Sequence, residues 1–299
     1  MSLRGIADQT LSISDSGFYE VCGRRVDIGV TQRAAIAGTR LYRPDELKEL
    51  EAGPGREERF TETAIHVSSE KTQEAARRLV QIEGAEDLLI LSFASARNVG
   101  GGFRRGAKAQ EEDLAKCSGL YRCLETQPIY YETNRIEESL LYTDHMIYSP
   151  QVPWFRLQNR DLLNKPYIAS VITAPAPNAG EHLRRNPDGQ TDVTQTLQRR
   201  AGYVLALAEA TQHTSLLLGA WGCGVFRNDP MMVADAFISL LESERFQGSF
   251  RRVDFAVWDS TKQQATLQAF QDRMSSYRMG MNEAAAQQTV AADGASPRS

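Results

Sequence analysis

At 299 residues, with 41% hydrophobic and 24% charged positions, the chain suits one large α/β domain or two small ones, with ample material for a core. A formal net charge of −4 argues against a broadly basic nucleic-acid surface, so an anionic ligand has to be met locally, by loops and backbone N–H groups. Cys22, Cys117, Cys123 and Cys223 form no CxxC and none neighbours a histidine, which disfavours a metal centre or a Cys/His nucleophile; no apolar run approaches the roughly 20 residues that span a bilayer, and a reduced, cytoplasmic protein is expected.

In chain order, residues 1–60 read as an accessory region. Phe18 to Val21 and Arg25 to Ile28 flank Cys22-Gly23-Arg24 as a hairpin, Gln32 to Ala37 forms a short helix ended by Gly38, and Pro44 opens a helix over Asp45 to Glu51. From Thr61 the pattern turns to alternating α/β. Ala64 to Val67 is a strand, Ser68 or Ser69 caps a helix through Val80, and Leu88 to Phe93 is a buried strand. A helix follows through Leu114, Cys117, Tyr121 and Leu124; the polar, aromatic stretch Tyr130 to Arg160 reads as irregular with short strands. Tyr167 to Thr173 is a buried strand stopped by Ala174-Pro175-Ala176-Pro177-Asn178, and Leu197 to Ala210 a helix. Ser215 to Leu218 is a strand, Pro230 begins a helix capped by Asn228 or Asp229, and Val253 to Trp258 is the last strand. Ser260 with Gln263 suggests a capping box for a helix toward Tyr277. This alternation means a largely parallel sheet covered on both faces, with ligands at the carboxyl ends of its strands. The expected division is an accessory region over 1–60, a catalytic core over 61–279 and a disordered tail over 280–299.

Chemistry concentrates in two places. The strand Leu88 to Phe93 empties into Asn98-Val99-Gly100-Gly101-Gly102, and a glycine run lets backbone lie against a ligand and aim N–H groups at anionic oxygens such as phosphate. Gln110-Glu111-Glu112 then opens a helix facing that turn. Helix N-termini favour carboxylate anions, whereas adjacent carboxylates and a bound diphosphate oppose ionisation, so one glutamate is a candidate general acid. The second place is Gly219-Ala220-Trp221-Gly222-Cys223-Gly224-Val225-Phe226, where another buried strand meets glycines before a helix. It is neither a Walker loop nor GxGxxG, and two opposed glycine turns suit a diphosphate between them.

Asn98, Gly100 to Gly102 and Gln110-Glu111-Glu112 resemble the signature of the bacterial-type poly(ADP-ribose) glycohydrolases, GGG followed by QEE on a macrodomain. The resemblance implies a macrodomain-like three-layer α/β/α fold, with a mixed, largely parallel central sheet and an N-terminal accessory extension. It also implies cleavage of the ribose–ribose bonds of poly(ADP-ribose) to release ADP-ribose, without metal or cofactor. Glu112 would be the general acid and then the base for water; Glu111 would hold the leaving ribose and raise the pKa of its neighbour, and Gln110 would orient the loop. Asn98 would bind a ribose hydroxyl, and Gly222, Cys223, Gly224 and Val225 would meet the diphosphate. Phe226 would shape the distal ribose pocket, and Trp258 is a candidate stacking aromatic for adenine. The implied partners are poly(ADP-ribose), ADP-ribose and ADP-ribosylated proteins, in a monomer that reverses the modification, as in the DNA damage response, without binding duplex nucleic acid or membrane. Two other readings share the glycine turns: a non-catalytic ADP-ribose reader, which has no use for an acid pair, and a mono-ADP-ribosyl hydrolase.

Overall fold

A computed structural model describes residues 1–158 and 160–277; the tail expected over 280–299 lies outside them. Strand β5 (Leu88–Phe93) shows why the sheet forms where it does. Leu89 and Leu91 point to one face and Leu88 and Ile90 to the other, each into its own buried cluster, as a strand covered on both sides requires. The same alternation recurs in β8 (Ser215–Gly219), with Leu216 and Leu218 against Leu217. These two strands pair in parallel at the middle of a seven-stranded sheet. On one side of them follow β9 (Arg252–Ala256) and β4 (Ala64–Ser68), both parallel. On the other, β7 (Leu162–Ala174) is parallel to β5, while β6 (Met146–Arg156) and β3 (Arg40–Tyr42) run antiparallel at that edge. A separate hairpin joins β1 (Phe18–Val21) to β2 (Arg24–Asp27) through Cys22 and Gly23, both at positive φ.

One face of the sheet is covered by α8 (Ala179–Arg185), α9 (Gln190–Ala210), α10 (Pro230–Glu242), α3 (Pro44–Ala52) and α11, residues 265–277. Leu197, Val204, Phe237, Leu47 and Phe270 supply that cluster. The other face carries α2 (Gly29–Gly38), α4 (Thr72–Arg77), α5 (Gln110–Cys117), α6 (Leu120–Leu124) and α7 (Pro128–Ile136). No described helix is long and apolar enough to cross a membrane.

Several local expectations need correction. The first helix, α1 (Leu3–Ser16), has no counterpart in the sequence reading; Ser2 caps it by accepting from Gly5 N–H at 3.1 Å, and Gly17 ends it in the left-handed region. Neither Ser68 nor Ser69 caps α4, which starts at Thr72 with Glu74 accepting from the Lys71 N–H. The helix expected through Leu124 breaks at Ser118, whose hydroxyl donates to Leu114 O at 2.8 Å. The stretch Tyr130 to Arg160 is not irregular, because it holds most of α7 and the eleven-residue strand β6. Ser260 and Gln263 form no capping box: Asp259 and the Thr261 hydroxyl accept the N–H groups of Thr266 and Gln264 at the start of α11. Of the two caps proposed for α10, Asp229 performs the task by accepting from Met232 N–H, and Asn228 is used elsewhere.

Candidate active site

Because β5 and β8 are parallel neighbours, the two glycine segments leave the same edge of the sheet side by side. The first is a tight double turn. Gly101 N–H donates to Asn98 O and Phe103 N–H to Gly100 O, each at 3.0 Å, and Gly100 and Gly101 lie at φ 57° and 59°. A methyl group at Gly101 would stand 2.5 Å from Glu112 Oε1 and 3.0 Å from Glu111 Oε2, so the two carboxylates flank this glycine and leave no room for a side chain.

Gln110, Glu111 and Glu112 form the first turn of α5 and lock the turn from three directions. Gln110 accepts from Phe93 N–H at 2.8 Å and donates to Leu91 O at 2.9 Å, satisfying both backbone groups at the end of β5 as a further strand would. Glu111 accepts from Ser95 N–H at 2.8 Å, and Glu112 from Gly102 N–H at 2.8 Å. Both carboxyls are buried. The loss of solvation on burial, joined by the negative charge of Glu112 and opposed by the Ser95 N–H, holds the Glu111 carboxyl well above the usual carboxylate range. Glu111, expected from sequence to tune its neighbour, is thus itself the shifted group. Among the described residues its second oxygen has no hydrogen-bond partner, and neither has the buried hydroxyl of Tyr130. Asn98 is exposed at the mouth of this turn, where its N–H donates to the Ser95 hydroxyl at 3.1 Å.

The second turn is anchored by two residues that face inward. Trp221 is fully buried and donates to Ala174 O at 3.1 Å; Asn228 donates to Pro177 O at 2.8 Å and to Gly222 O at 3.2 Å. Gly222 lies at φ 73°, with Asn228 and Ala176 occupying the space of any side chain. With the anchors below, Gly224 is open to solvent and Val225 is 86% exposed. Cys223 sits half-covered in the same turn, its thiol pushed up to about 12 by burial. Phe226 packs its ring 5.8 Å from that of Tyr142, itself at positive φ.

A crevice of ≈ 500 Å³ runs along the strand ends, lined by Phe93, Gln110, Ala220, Cys223, Gly224 and Trp258. Trp258 is 54% exposed, and the Lys71 ammonium stands 5.7 Å over its ring. The structure therefore brings the carboxylate pair, both glycine turns and Trp258 to one edge. Arg104 and Arg105 are exposed, whereas Arg184 and Arg185 both pair with Glu181.

Sequence reasoning overlooked Tyr142, Lys71 and Arg200. Arg200 is completely buried beneath the site, pairs with Asp144 at 2.6 Å, and donates to the carbonyls of Pro175, Leu141 and Tyr142. It fastens the Tyr142 segment to the proline turn after β7. A charged residue in the Ala/Leu-rich helix α9 was the available signal.

A three-layer α/β/α sheet with two glycine turns at adjacent strand ends and an acid pair between them defines a macrodomain-like protein. The chain belongs to the microbial-type poly(ADP-ribose) glycohydrolases: the family described as microbial-type PARG, catalytic domain, matches residues 7–157. The solved poly(ADP-ribose) glycohydrolase from Thermomonospora curvata is 43% identical, with 91% of this chain and 98% of that chain covered and a TM-score of 0.85. The same Thermomonospora curvata protein bound to the inhibitor ADP-HPD matches with 43% identity over the same shares, at a TM-score of 0.83. The Deinococcus radiodurans poly(ADP-ribose) glycohydrolase in complex with ADP-ribose is 47% identical, covering 84% of this chain and 99% of that chain at a TM-score of 0.77. No curated protein matches the chain.

Proposed function

We propose that this chain hydrolyses the ribose–ribose O-glycosidic bonds of poly(ADP-ribose) and releases ADP-ribose. The observation that carries the reading is the pair of carboxylates flanking Gly101, tied to the Ser95 and Gly102 N–H groups at the first of two glycine turns on adjacent strand ends. Relatives that share nearly half of the sequence are solved with ADP-ribose and with the inhibitor ADP-HPD.

In this reading the diphosphate lies between the Gly100–Gly102 turn and the Gly222–Val225 turn, Trp258 stacks on adenine, and Asn98 offers its amide to a ribose diol. Phe226, backed by Tyr142, closes the distal ribose pocket. Glu112 gives its proton to the leaving ribose oxygen as the glycosidic bond breaks, and its carboxylate then takes a proton from the water attacking the anomeric carbon. Glu111, kept neutral by burial, has a proton to donate to a ribose hydroxyl; Gln110 keeps the turn in register with β5. The same reading sets a monomer in the cytoplasm, removing the modification from ADP-ribosylated proteins, including those of the DNA damage response. Cys117 and Cys123, thiols buried in the core, suit a reducing compartment.

The test is Glu112→Gln, which keeps shape and removes the titrating group. Turnover of polymer should fall by about 10²–10⁴, the usual contribution of a general acid, while calorimetry records unchanged ADP-ribose affinity. Near-normal turnover would overturn the assignment.

A further inference from the structure

A second cavity, ≈ 240 Å³, opens beside the crevice and shares Lys71, Gln73, Lys108 and Asp113 with it. Its walls come from α1, α5 and the end of β6, and its charge is lopsided. Among the described lining residues Lys71, Lys108, Lys116, Arg156 and Arg160 face one carboxylate, Asp113, which Lys116 engages at 2.5 Å, while Glu74 touches the Gln158 side chain at the wall.

Arg156 is the telling residue. It is 4% exposed, and its guanidinium donates only to neutral oxygens: Lys116 O at 3.1 Å, Arg160 O at 3.0 Å and the Thr10 hydroxyl at 3.3 Å. Among the described residues no carboxylate stands within ion-pair distance of it, and burial pulls its pKa below the ordinary value. A buried cation without a counter-charge is costly unless an anion visits, and these three bonds leave guanidinium N–H groups free to meet one. Lys71 links the two cavities: it stands over Trp258 on one side and touches the Gln158 side chain on the other.

We propose that this cavity is a second anion subsite, which takes a phosphate of the polymer unit next to the ADP-ribose held in the crevice. The inference rests on the function proposed above and deepens it, because a subsite beyond the Trp258 end of the crevice is filled only when the bound unit lies inside a chain. A dimer, whose single bond is cut with the terminal unit in the crevice, leaves the cavity empty. The subsite therefore favours cuts within long chains.

Arg160 is exposed and lines only this cavity, and Leu3 stands at its wall. Arg160→Glu and Leu3→Glu each bring negative charge to the cavity without touching the carboxylate pair or the glycine turns. In both variants the early release of oligomers from long polymer should fall by roughly tenfold, the scale of one lost charge-assisted contact, while dimer hydrolysis stays as in the parent. Arg160→Lys should restore oligomer release. Unchanged oligomer release, or an equal loss on dimer and polymer, would overturn the subsite. Failure of the parent to cleave dimer would overturn the proposed function instead. A binding experiment in the Glu112→Gln background separates a polymer subsite from a site for free phosphate. Dimer, which can sit with its first unit in the crevice and its second unit reaching the cavity, should bind more tightly than ADP-ribose, and inorganic phosphate alone should show no comparable affinity for the cavity. Phosphate binding that matches the dimer's advantage would assign the cavity to the free ion and end the polymer reading.

Discussion

Glu111 is the residue on which activity and stability pull in opposite directions. Its folded-state pKa is raised well above the ordinary carboxylate value by burial first and by Glu112 next, against the Ser95 N–H. Below about pH 4.3 it is protonated in folded and unfolded chains alike, and its burial costs nothing in protonation. As pH rises, the unfolded chain releases the proton and the folded chain retains it, so stability falls until pH passes the folded value. Glu111→Gln removes that dependence. The variant should be more stable than the parent at pH 8 and equal to it at pH 4 in urea titrations, while losing polymer turnover because an amide cannot give up a proton as the Glu111 carboxyl can. A stability difference of the same size at both pH values would show that burial is not what raises the group.

At the scale of elements, the glycine turns work because three of their residues, Gly100, Gly101 and Gly222, occupy the left-handed region and have no Cβ. Gly101→Ala would suffer both the unfavourable φ of 59° and a contact of 2.5 Å with Glu112 Oε1. About 1–3 kcal/mol of strain should appear in unfolding experiments, together with a collapse of turnover, because the carboxylate has to move. Gly224→Ala, whose added methyl meets nothing within 4 Å, is the matched control and should keep near-parent stability. These turns were legible in the sequence because glycine runs after Leu/Ile-rich strands have few other uses. Elements that break the patterns were not. In α1 the buried stripe includes Thr10 and Ser14, which hide a helix that Thr10 ties to Lys116 O and Arg156. In β6, Pro150 and Pro153 demote the run, yet the strand tolerates them through a bulge at Gln151, φ 47°, where the register with β7 shifts. Caps were misplaced at α4 and α11, and at α10 the choice between Asn228 and Asp229 stayed open, because several polar residues stood near each start and only packing chooses among them. The chemical pairing of Gln110 with β5 follows from adjacency in space, which no local pattern records.

At the scale of the molecule, the sheet's two faces are filled by separate clusters, and the site occupies the strand-end edge, with Trp221 inside one cluster and Cys223 and Phe226 packed against it. Its halves come from distant parts of the chain: the acid pair and triple glycine lie within the matched residues 7–157, and the second turn near 224 lies beyond them. Buried fasteners hold the halves in register. Trp221 hangs the second turn on the end of β7, and Arg200, paired with Asp144, binds the Tyr142 segment to the proline turn. Removing Arg200 strands a largely buried Asp144 with Arg199 alone, so Arg200→Ala should lose about 3–5 kcal/mol of stability. A diphosphate seated between the turns would act as a further fastener, because unfolding has to release it. At about a hundred times its dissociation constant, ADP-ribose should add about 2.7 kcal/mol to the unfolding free energy. Glu112→Gln, which keeps both turns, should show the same increment. Gly222→Ala, at φ 73° and pressed by Asn228 and Ala176, should lose most of it at the same ligand concentration, and amide exchange should slow in both turns together on binding to the parent. Protection confined to one turn would mean that the ligand does not span the two strands.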